Sequence, residues 1–108
     1  MYKLELSLDV YQRLEKCLSE IHPEINLILV SCDYALASLG FVAQPPCTIQ
    51  VDMTEQECEA LLDELMQYET DAYNQPDTQM LEKTPEYQTY VKYGWMWDIF
   101  YSAEYVEP

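Results

Sequence analysis

Residues 48–65, TIQVDMTEQECEALLDEL, decide the fold. The first part alternates: Ile49, Val51 and Met53 fall on one side and Gln50 and Asp52 on the other, the period of a half-buried strand. At Thr54 the period changes. Thr54-Glu55-Gln56-Glu57 is a capping box, in which the threonine and the glutamate each satisfy a backbone N–H at a helix start. Cys58, Leu61, Leu62, Leu65 and Tyr68 then recur as the apolar stripe of a helix. A strand passing directly into an amphipathic helix points to a mixed α+β fold.

A similar pattern opens the chain. Tyr2 to Leu8 alternates as a strand with Leu4, Leu6 and Leu8 on one face, Asp9 is the expected N-cap, and Leu14, Cys17, Leu18 and Ile21 follow at helical spacing. The segment LELSLDVYQRLEKCLSEI (4–21) aligns with IQVDMTEQECEALLDEL (49–65). This is either an internal β-α-α duplication or the coincidence of a common pattern. His22-Pro23 is expected to end the first helix, with Pro23 opening a second over Glu24 to Leu39. That helix would carry Ile25, Ile28, Cys32, Leu36 and Leu39 on one stripe and close at Gly40. The run Ile25 to Val30 also fits a buried strand, but Pro23, Gly40 and the length favour helix. Pro45-Pro46 marks a turn. Thr84-Pro85-Glu86 marks a further helix start, for a segment reaching about Ala103 and weakened at Gly94. The expected architecture is a small two-stranded, antiparallel sheet packed against three to five helices in a single domain, residues 1–108.

Composition narrows the function. The chain has 20 Asp and Glu against 5 Lys and Arg, a formal net charge of -15, and no Lys or Arg between Cys17 and Glu82. Such a domain repels nucleic acid, anionic membrane and acidic substrates; its natural partners are basic. With 49% apolar residues it is expected to fold despite its charge. MYKLELSLDV does not read as a signal peptide and no apolar run suits a membrane span, so a cytoplasmic location is expected. Cys17, Cys32, Cys47 and Cys58 contain no C-x-x-C pair and are expected to be reduced, with Cys17, Cys32 and Cys58 on apolar helix faces. His22 has no partner at metal-ligand spacing, and no cofactor or metal motif occurs. One histidine, no phosphate loop and no activated nucleophile also argue against an enzyme.

Two features remain. On the helix after Thr54, Glu55, Glu59 and Asp63 are four apart and Glu57, Glu64 and Asp71 seven apart, with Asp52 and Glu69 extending the acidic surface. Neighbours four apart lie about 5–6 Å from each other, a row of charge resembling the phosphates of a nucleic-acid strand. The plain alternative is a solvated acidic face. Small acidic inhibitors of restriction and CRISPR nucleases from phage and mobile elements share this composition, a likeness of class and not of family. The second feature is Tyr87 to Tyr105, which holds five Tyr, Trp95, Trp97 and Phe100. Tyr90, Val91, Trp97 and Phe100 or Tyr101 suit a core; Tyr87, Tyr93 and Trp95 suit an exposed or homodimeric patch. Asp98 beside Trp97 and Glu104 beside Tyr105 are pairs suited to catching an arginine. The reading is therefore a non-enzymatic, nucleic-acid-mimicking inhibitor of a basic DNA- or RNA-binding protein, a nuclease or its complex, that binds neither nucleic acid nor membrane. The alternative is an acidic accessory protein that dimerises or docks through its aromatic patch.

Overall fold

The computed structural model describes residues 1–32, 46–74 and 83–107. Among them are four strands, β1 (Tyr2–Ser7), β2 (Asn26–Cys32), β3 (Pro46–Asp52) and β4 (Glu104–Tyr105). Four helices accompany them: α1 (Leu8–Ile21), α2 (Glu55–Tyr73), α3 (Pro85–Tyr93) and α4 (Met96–Tyr101). The chain divides into two compact units, one with the sheet and α1, the other with α2, α3 and α4.

In the first unit the sheet has the order β2-β3-β1-β4, with every pairing antiparallel. The expected two-stranded sheet is thus corrected to four strands. β1 and β3 pair with Leu4 opposite Ile49 and Tyr2 opposite Val51. Alternation places Tyr2, Leu4, Cys47, Ile49 and Val51 in the core, where α1 adds Leu14, Cys17 and Leu18. α1 starts two residues earlier than expected: Ser7, not Asp9, holds the N-cap position, and its hydroxyl donates to Asp9 at 2.6 Å. The helix ends at His22, whose N–H donates to Leu18 at 2.6 Å and whose ring meets Glu24 at 2.8 Å.

The expected helix from Glu24 is overturned at Asn26–Cys32, which is strand β2 hydrogen-bonded to β3. Pro23 therefore stands in a turn, and the first copy of the supposed duplication reads β-α-β instead of β-α-α. Leu36, Leu39, Gly40 and Pro45 lie outside the described residues, while Pro46 opens β3 instead of making a turn. The physical reason is the run Leu-Ile-Leu-Val: branched side chains suit a pleated strand, and β3 offers it a partner. β2 is an edge strand, and Ile28, Leu29 and Val30 are exposed. Val30 is the extra residue of a bulge between Leu29 and Ser31. β4 is clipped to the opposite edge by Tyr2–Tyr105, whose rings lie edge to face at 5.2 Å, and by Val106 N–H donating to Met1 at 2.8 Å.

Cys32 stands opposite Cys47 across β2 and β3, with Cα atoms 4.1 Å apart, and the two form a disulfide. This corrects the expectation that all four thiols are reduced and that Cys32 sits on a helix; a register pairing brings together residues that spacing alone does not. Cys17 and Cys58 are buried thiols, as expected of small apolar side chains.

In the second unit α2 begins at Glu55, directly after Thr54, and buries Cys58, Leu61, Leu65 and Ala72, with Leu62 and Tyr68 half-buried. α3 has Thr84 as its N-cap, accepting from Tyr87 N–H at 3.2 Å, and Pro85 in its first turn. The segment breaks at Gly94-Trp95 and resumes as α4, which buries Met96 and Phe100. A Cβ on Gly94 would sit against the Tyr90 ring and 2.7 Å from the Tyr90 carbonyl oxygen, so only glycine allows this approach.

Two outcomes test this fold. Cys32→Ser is expected to lower stability by about 3 kcal/mol, the chain-entropy value for a loop of this span, in denaturant titrations without reductant; adding reductant should erase the difference. Gly94→Ala is expected to cost about 1–3 kcal/mol as an overpacked contact, read from the same titration.

Candidate acidic face and aromatic groove

α2 carries seven carboxylates, Glu55, Glu57, Glu59, Asp63, Glu64, Glu69 and Asp71, and no Lys or Arg. At about 100° per residue, Glu55, Glu59 and Asp63 form one row and Glu57, Glu64 and Asp71 a second, roughly 140° away around the axis. The buried stripe lies on the remaining side, so both rows face solvent. All seven side chains are exposed except Glu64, which is half-buried. Asp52 is exposed at the end of β3 and belongs to the sheet unit, not to this helix.

The placement is unfavourable for the helix in two ways. Glu55–Glu59 and Glu59–Asp63 are like-charge neighbours, each costing about 0.2–0.5 kcal/mol. Glu55 and Glu57 gain from the helix N-terminus, but Glu69 and Asp71 stand towards the C-terminal end, where the dipole favours cations. Asp71 is held by Gln67, which donates to it at 2.8 Å, and Glu64 accepts from the Tyr68 hydroxyl at 3.2 Å.

The tyrosines expected to be exposed are instead half-buried and join α3 to α2. Tyr73 packs edge-on against Tyr87 at 6.2 Å and Tyr90 at 5.7 Å, and Tyr68 meets Tyr93 at 6.1 Å. Lys92 lies 5.3 Å from the Tyr93 ring centre. Trp95 is half-buried, its indole N–H donating to the Lys92 carbonyl at 2.9 Å. Trp97 stacks on Tyr101 at 4.6 Å and 11°, leaving Tyr101 67% exposed. Val91, expected in the core, is exposed.

Between α2, α3 and α4 lies a groove of about 290 Å³, lined chiefly by Met66, Glu69, Tyr90, Trp95, Trp97 and Asp98. The sequence singled out Glu69, Trp95 and Asp98 but not that they meet. Glu69 comes from α2 and Asp98 from α4, while Trp95, at the junction of α3 and α4, and Trp97 of α4 both line the groove. Burial, reinforced by Glu69, Tyr73, Tyr87 and Asp98, pushes the Tyr90 phenol above its ordinary value. Asp98 and Glu69 form no ion pair among the described residues, and both side chains are exposed.

Comparison with protein-family models, with curated proteins and with solved structures yields no match to this chain. Its function therefore has to be read from the residues. No helix among the described residues is long and apolar enough to cross a membrane.

Burial first, then the neighbouring Glu64 carboxylate, pushes the Tyr68 phenol from 10.0 up to about 12. The raised value favours the neutral phenol in the folded state. Its contribution is fully present below pH 10 and is lost as pH rises through about 12. Absorbance titration should show one tyrosine ionising near pH 12, a step absent in Tyr68→Phe, which should also lose stability less steeply above pH 10.

Proposed function

We propose that this protein is a non-enzymatic inhibitor that occupies the cationic groove of a nucleic-acid-handling protein by presenting strand-like negative charge. The observation that carries the reading is α2: seven carboxylates on one helix with no cation among them. From Glu55 to Asp71 the helix spans about 24 Å, so its charges come every ~4 Å along the axis, against ~3.4 Å per phosphate along one DNA strand. A helix selected for stability alone would carry compensating lysines and would keep acids away from its C-terminal end. The partner would be a nuclease or its complex, met in the cytoplasm. In that reducing setting Cys32 and Cys47 would stand as neighbouring thiols.

The mechanism is competition. Lys and Arg of the target pair with the α2 rows instead of with phosphate, and association is fast at low salt and slow at high salt. Affinity capture from cell extract, at low and high salt and with competing duplex DNA, tests this. A DNA- or RNA-binding protein held at low salt and displaced by DNA supports the reading; recovery of only salt-indifferent partners overturns it.

The exposed Trp97–Tyr101 stack favours a second reading, docking or dimerisation through aromatic surface. That reading requires concentration-dependent association with little response to salt.

The charge-reversed variant Glu59→Lys, Asp63→Lys separates the two. It is expected to weaken binding to the captured basic partner by at least about tenfold at low salt, while its thermal stability stays equal to wild type or rises slightly. Unchanged affinity would remove α2 from the interface.

A further inference from the structure

We propose that the groove between α2, α3 and α4 is a receptor for one arginine side chain of the partner. This deepens the reading above and takes its partner class from it.

The groove is small. About 290 Å³ lies at the floor of the ~300–1,000 Å³ that encloses drug-sized ligands, so it suits one side chain rather than a nucleotide or a cofactor. Its walls combine the two surfaces that recognise a guanidinium. Tyr90, Trp95 and Trp97 supply aromatic rings, and Glu69 and Asp98 supply carboxylates from separate helices. A planar guanidinium stacks on an indole and donates in its own plane to a carboxylate; an ammonium does only the second well. The Trp95 N–H is donated to the Lys92 carbonyl, which fixes the indole at the junction of α3 and α4. Tyr101 takes one face of Trp97 and fixes that indole in place. Among the described residues no Lys or Arg lines the groove, and its two carboxylates, Glu69 and Asp98, are exposed and form no ion pair. An acidic or neutral side chain would find repulsion or an unmatched field; an arginine finds both its ring and its counter-ions.

The test uses the intact protein and three small probes: acetyl-arginine amide, acetyl-lysine amide and acetyl-citrulline amide, the last matching arginine in shape without its charge. The two indole N–H signals of Trp95 and Trp97 are followed by NMR at low salt. The expected result is a saturable shift with the arginine probe, with lysine weaker and citrulline weaker by at least about tenfold. Glu69→Gln, Asp98→Asn should reduce the arginine response by at least about tenfold while the remaining spectrum keeps its dispersion. A non-saturable response, or equal responses to arginine and citrulline, overturns the proposal. So does an arginine response that survives the double variant. Affinity capture is scored separately: a basic partner recovered by a protein whose groove ignores arginine overturns the groove alone, and a groove that binds arginine with no basic partner recovered overturns the inhibitor reading alone.

Discussion

The constraint on which the helical unit depends is the contest on α2 between its charge and its buried stripe. Two like-charge pairs four residues apart cost up to about 1 kcal/mol together. Leu61 and Leu65, each 3% exposed or less, contribute about 3–6 kcal/mol by burial. Burial wins, and with room to spare. The helix can therefore carry charge that its own stability does not ask for, because the stripe of Cys58, Leu61, Leu65 and Ala72 is set apart from both acidic rows. The tyrosines serve the same end. Tyr73, Tyr87 and Tyr90 form a ring cluster that binds α3 to α2 without spending a cation on the acidic side.

What was legible in the sequence follows from where local rules suffice. The strand at Ile49–Val51, the helix after Thr54 and the start at Thr84-Pro85 are each announced by a short pattern, and each formed there. β2 is not legible in the sequence because four successive apolar residues have no period to decide between helix and strand; pairing with β3 decides it. β4 has only two residues and exists through register with β1. The disulfide was hidden for the same reason, since Cys32 and Cys47 become neighbours only once β2 and β3 are aligned.

The candidate site divides along the same line. The two acidic rows follow from counting along one helix, so the sequence places them directly. The groove does not. Glu69 and Asp98 are distant in the chain, and they share one concavity because α3 and α4 both pack on α2. Gly94, in sequence only a weak point in a helix, lies between those two helices, where the Tyr90 ring and carbonyl leave no space for a side chain.

The outer edge of β2 has a consequence of another kind. Asn26–Cys32 contains no charged residue, presents Ile28, Leu29 and Val30 to solvent, and has no second neighbour among the described residues. Such an edge is a template for intermolecular sheet growth, and the Val30 bulge is a partial guard against it. The rest of the protection is colloidal: molecules of net charge -15 keep one another at a distance. That repulsion reaches ~10 Å in 0.1 M salt and only ~3 Å in 1 M. Dilute buffer is thus the medium in which this protein keeps, and a concentrated electrolyte is the medium in which its shelf life is set by a seven-residue strand.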